Sequence, residues 1–183
     1  PRPPPFLLHT LSIPSGMPTF SALAQFVIDR LSPSSDSEIR RAFNPWVDLD
    51  LGVPLSARTP LDQIFNLVQS EYGRDQVGKL VSERLAVTDP QNVRTDGHEI
   101  ISRISANREG APQIVTTNFD HLFEYAIKKN PVEKYVPPTF PDLQHDVPVT
   151  GITYLHGRLS EHAADRYDYV LSSSDFGRAY LAQ

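Results

Sequence analysis

The stretch Ile114-Val115-Thr116-Thr117-Asn118-Phe119-Asp120 decides how this chain folds. A β-branched run that ends in small polar groups and leads into Leu122-Phe123, then Ala126-Ile127, predicts a buried strand, a short turn and an amphipathic helix. Ligands of open α/β folds collect at the carboxyl ends of such strands. A second β-rich run, Ile152-Thr153-Tyr154-Leu155, carries His156-Gly157 to a similar place. An amide, a carboxylate and an imidazole therefore have a route to one crevice.

Upstream, the pattern is mostly helical. Pro1 to Pro5 read as an extended arm, because proline has no backbone donor, and Phe6-Leu7-Leu8 follows as a candidate first strand. Leu23, Phe26, Val27 and Leu31 share one helical face that ends at Pro33, and Ser37 to Phe43 suit a second short helix. Pro45, Pro54 and Pro60 bracket a loop. The apolar spacing from Leu61 to Leu85 is helical, with Gly73 as a break between two helices, and His98 to Ile104 supplies another. Beyond the Ile114 strand, Val132 to Val136 suits a short strand and Asp175 to Leu181 a closing helix. The fold expected is an α/β, Rossmann-like parallel sheet in a single domain, 1–183, with a helical insertion at about 33–108.

Composition narrows the function. A chain of 183 residues suffices for one domain with a sizeable core. It contains no cysteine, so disulfides and thiolate metal sites are excluded. A net charge of −5 with 17 scattered Lys and Arg argues against direct nucleic-acid binding, which needs clustered cations. The apolar runs are too short for a membrane span, and no secretory h-region is evident, so a cytoplasmic location is expected. His9, His98, His145 and His162 show no metal-ligand spacing, and none is read as a ligand. His121 reads as a partly exposed first-turn residue.

Three motifs, Pro14-Ser15-Gly16-Met17-Pro18-Thr19-Phe20, Thr116 to Asp120 and Tyr154-Leu155-His156-Gly157, occur in this order over residues 12 to 157. Together they resemble the sirtuin-like NAD-binding domains, and within them the divergent bacterial branch found in NAD-consuming defence proteins more than the classical protein deacylases. The resemblance implies NAD as substrate, hydrolysed to nicotinamide and ADP-ribose. It implies Asn118 and His156 as the catalytic pair: Asn118 to hold a ribose hydroxyl or an ordered water, and His156 to act as base near neutral pH. Ser12, Gly16, Pro18, Phe20, Thr116, Thr117 and Asp120 are the implied NAD-binding residues, with Phe20 capping the nicotinamide end and Asp120 orienting its neighbours. Partners are NAD or ADP-ribose and further domains or subunits of a defence complex.

The chain departs from this family in places. No zinc is expected, since the four cysteines of the classical zinc ribbon are missing and with them a clamp for an acyl-lysine peptide; deacylation is therefore the lesser enzymatic alternative. Leu8, His9 and Thr10 stand where the family has a glycine-alanine-glycine run that lets pyrophosphate approach the backbone. Thr19 and Ser21 replace an acidic and a basic residue used in nicotinamide handling. The family pattern continues through further strands, so the chain reads as truncated at its C-terminal end. A non-catalytic NAD- or ADP-ribose-binding or assembly module is the alternative from another class. On the residues alone, Asn118 and Asp120 also fit simple helix caps, His156 a turn or core histidine, and Phe20 a hydrophobic anchor.

Overall fold

A computed structural model describes residues 11–127, 132–141, 149–160 and 169–181. The expected strand at Phe6-Leu7-Leu8 and the departure at Leu8, His9 and Thr10 lie outside them. The described elements are α1 (Phe20–Leu31), α2 (Glu38–Val47), α3 (Leu61–Tyr72), α4 (Arg74–Leu85), α5 (Asp96–Ile104), β1 (Gln113–Thr116), α6 (Leu122–Ala126), β2 (Lys134–Tyr135), β3 (Gly151–Tyr154) and α7 (Ser173–Tyr180). This is a mixed α/β chain compatible with a Rossmann-like fold. Two compact units are interleaved along it: the first comprises residues 1–17 and 85–159, the second residues 18–84 and 160–183.

The first unit is built on a parallel sheet of order β1-β3-β2. β3 is buried along its whole length, as a central strand must be, while β1 alternates: Ile114 and Thr116 face in, Gln113 and Val115 face out. The apolar run around Val115 reads as fully buried, but among the described residues β1 pairs on one side only, and Val115 is 44% exposed. Ile114, Phe123, Ile152 and Tyr154 form the core, with Leu11, Ile101 and Ile127 packed against it. β2 and β3 approach each other closely at Gly151, whose φ is +126° and whose missing Cβ would stand 2.4 Å from the Glu133 carbonyl oxygen; only glycine fits there.

One cluster ties three elements of this unit together. The Arg158 guanidinium grips Glu124 of α6 with Nε donating to Oε1 at 2.5 Å and the second amino group to Oε2 at 2.6 Å. Lys134 of β2 reaches the same carboxylate at 3.0 Å, and the buried Tyr154 hydroxyl donates to it at 2.9 Å. Burial alone would raise the Glu124 pKa, but Arg158 and Lys134 outweigh it and bring it down to about 2. Burial and the adjacent Glu124 charge push the Tyr154 phenol well above its ordinary range.

The second unit is helical. Its helix starts follow from capping chemistry: the Thr19 and Ser37 side chains accept hydrogen bonds from Ala22 and Arg40 N–H, and Ser172 and Asp175 form a reciprocal capping box at α7. Gly73, at φ 86°, separates α3 from α4 as the sequence predicts. α2 runs further than predicted, through Pro45 to Val47. Proline in the last turn removes one donor at the point where the helix is ending, and the Trp46 indole donates to the Thr59 carbonyl at 2.9 Å to hold that end in place. α3 packs against α1, α2 and α7. Asp175, fully buried, accepts from Arg74 Nε (2.8 Å), Arg178 (2.5 Å), Gln69 Nε2 (2.9 Å) and the Leu171 and Ser172 backbone amides. Burial works against its charged form, and these donors reverse that, so its pKa lies below the ordinary carboxylate value.

Candidate functional site

The predicted strand, turn and helix put Asn118 two residues past the end of β1 and His156 two residues past the end of β3. β1 and β3 run parallel with Thr116 opposite Tyr154, so the two side chains leave neighbouring strands at equal offsets. The backbone keeps this match beyond the strands: Leu155 N–H donates to the Thr116 carbonyl at 2.8 Å, and Leu159 N–H to the Phe119 carbonyl at 2.8 Å. Thr116, buried, accepts the Asn118 N–H on Oγ1 at 3.1 Å and so shapes the turn, with Thr117 part-buried between them. Gly157, at φ 83°, turns the chain directly after His156.

Asn118 meets Ser12 directly: its Nδ2 donates to Ser12 Oγ at 2.8 Å. The Ser12 hydroxyl also lies 3.2 Å from Nε2 of His98, near the start of α5. Asp120 completes the group. It is buried and accepts the Leu122 N–H at 3.1 Å as α6 begins. Burial pushes the Asp120 carboxyl above its ordinary range, opposed by the Ser12 and Leu122 bonds and by the fields of His98 and His121. Burial pushes the His98 imidazole below its ordinary value, opposed by the Asp120 charge. The His98 ring stands edge-on to Phe123 with centroids 4.8 Å apart, and Nδ1 has no hydrogen-bond partner among the described residues.

Ser12, Asn118 and Asp120 therefore come together, with His156 on the adjacent strand end. Gly16 closes the turn after Ser12, at φ 87°, where its N–H donates to the Ile13 carbonyl and Met17 N–H to the Ser12 carbonyl. Pro18 and Phe20 belong to the second unit, where the Phe20 ring opens α1 against Phe65 at 5.1 Å between centroids. His121 directs Nε2 at the Leu159 carbonyl, 2.9 Å away. His98 is the residue that a search for metal-ligand spacing overlooks. The signal was its position three residues before core-packed Ile101 on one helical face. No group of three or more His, Cys, Asp or Glu fit to hold a metal occurs among the described residues, and no helix there is long and apolar enough to cross a membrane.

The SIR2-like domain family matches residues 112–183, a stretch that contains Asn118, Asp120 and His156. This supports a sirtuin-like family. The chain is also similar to the uncharacterized protein y4cA of Sinorhizobium fredii (strain NBRC 101917 / NGR234), with 35% identity over 100 residues. That alignment covers 50% of this chain and 8% of the relative, so the chain spans a small part of that protein's length.

Proposed function

We propose that this chain is the NAD-cleaving part of a sirtuin-like hydrolase that converts NAD to nicotinamide and ADP-ribose, and that it serves as the effector of a bacterial defence protein. The observation that carries this reading is the cluster of Ser12, Asn118 and Asp120 at the end of β1, with His156 at the matching offset on β3. It is supported by the SIR2-like match over residues 112–183.

In the proposed reaction the bond between nicotinamide N1 and ribose C1′ breaks, and its electron pair neutralises the departing pyridinium ring. Positive charge develops on the ribose, so the protein's task is to hold the sugar and direct water to C1′. Asn118 binds a ribose hydroxyl or the water. His156 takes the proton that water loses, the role of a general base. Asp120 holds the turn and supplies a nearby negative field. Gly16 shapes the loop after Ser12 on the ribose side.

Nicotinamide release from NAD by the purified chain tests this. Asn118→Ala and His156→Ala are each expected to lower the rate by about 100-fold or more with unchanged circular dichroism. Release at the parental rate from either variant rejects the assignment. The replacement of the phosphate-cradling glycines by Leu8, His9 and Thr10 favours a second reading, a non-catalytic NAD- or ADP-ribose-binding module. Binding of ADP-ribose with no nicotinamide release would select it.

A further inference from the structure

The Ser12 hydroxyl has one proton and two lone pairs, and three side chains compete for them. Asn118 Nδ2 can only donate, at 2.8 Å, which occupies one lone pair. The Asp120 carboxylate, whose pKa the nearby Ser12 hydroxyl lowers, can only accept, and it offers the single hydroxyl proton a place to go. What remains on Ser12 is one lone pair facing His98 Nε2 at 3.2 Å, and only an N–H can use it. The opposite ring nitrogen fits this assignment. Nδ1 is buried with no acceptor near it among the described residues, so it is better left bare than protonated, because a buried donor without an acceptor is the costlier defect.

We propose that Ser12 is a saturated hydrogen-bonding hub, accepting from Asn118 Nδ2 and from a neutral, Nε2-protonated His98 while donating to Asp120, which makes His98 a positioning residue that acts on Asn118 through Ser12. The hub fixes which edge of the Asn118 carboxamide faces Ser12. This rests on the reading above, in which Asn118 must be held in one orientation to meet its substrate group. Asp120 is the charged group that faces His98, and His121 adds its field to Asp120. Neither supplies an acceptor to Nδ1.

The decisive measurement is independent of turnover. Long-range proton–nitrogen NMR of the full chain carrying nitrogen-15 histidine, with His98→Gln used to assign the signal, reads the tautomer directly. The expected result is a protonated Nε2 and a bare Nδ1, with the ring staying neutral below the pH at which an exposed histidine charges. A protonated Nδ1, or a charged ring at neutral pH, overturns the hub. Kinetics then tests the positioning role. His98→Gln retains a donor and is expected to keep kcat within a few fold, whereas His98→Leu removes it and is expected to lower kcat by about 10-fold or more with a smaller effect on KM. Equal kcat for the two variants overturns the positioning role. If the parental chain releases no nicotinamide, the hydrolase reading fails while the NMR result still decides the hub.

Discussion

Substituting Glu124 by Gln should cost the first unit about 3 kcal/mol at pH 7, and the cost should vanish in acid. The substitution keeps the size of the side chain and an acceptor for the Tyr154 hydroxyl, but removes the charge that Arg158 and Lys134 share. The Glu124 pKa is lowered from 4.5 to about 2, and each unit is worth about 1.4 kcal/mol, so the charged form is favoured by about 3 kcal/mol in the folded state. The side chains of Glu124 and Arg158 are only 15% and 13% exposed, so solvent screens little of this. Because the folded pKa lies below the unfolded one, the stabilisation is complete above about pH 4.5 and is lost as pH falls toward 2. The two proteins should therefore converge there. Trp46, the single tryptophan, belongs to the second unit, so its fluorescence is the wrong probe. Pulsed amide exchange at Ile152, Thr153 and Tyr154 across a urea series reports on the right sheet. A difference below about 1 kcal/mol at neutral pH, or one that stays constant from pH 7 to 2, would refute the reasoning.

Three further outcomes are expected. Gly151→Ala forces a Cβ to within 2.4 Å of the Glu133 carbonyl and should destabilise the β2 and β3 pairing by at least about 2 kcal/mol, seen as lost exchange protection at Ile152. Asp175→Asn leaves Arg74 and Arg178 without their shared counter-charge and should lower the stability of the second unit by about 2 kcal/mol, read by Trp46 fluorescence in urea; the depressed Asp175 pKa means this gap closes as pH drops below the ordinary carboxylate range. Replacing Leu8 and Thr10 by Gly and His9 by Ala should tighten NAD binding in calorimetric titration, since it restores close backbone approach to a pyrophosphate; unchanged affinity would mean the phosphates bind elsewhere.

Most elements were legible because their signals are local. The spacing of Leu23, Phe26, Val27 and Leu31 announces α1, Gly73 announces a break between helices, and the Ile114 and Ile152 runs announce strands by their β-branching, whereas the closing helix starts at Ser173, ahead of the expected Asp175, because the Ser172 cap sets its first turn. Pro45 misled because the rule against proline in helices weakens in a final turn, where few backbone bonds remain to be lost. The candidate site divides the same way. Ser12, Asn118, Asp120 and His156 are flagged by their place after a strand or in a glycine turn, whereas His98 enters through a contact 86 residues away from Ser12. The Glu124 cluster was hidden for the same reason: its partners come from β2, β3 and the turn after β3, and no periodicity links them.

The pair of amide-to-carbonyl bonds that runs on past β1 and β3 makes chain length, more than side-chain identity, the sensitive variable at this end of the sheet. Leu155 to Thr116 and Leu159 to Phe119 act as two rungs, and between them one rail carries Asn118 and the other His156. Swapping a side chain leaves the rungs in place. Inserting or deleting one residue between 155 and 159 cannot, because at least one rung must break or the imidazole must turn to the opposite side. Loop remodelling here therefore calls for changes in whole rungs, while the peptide segments outside them can take insertions with the Asn118 to His156 spacing preserved.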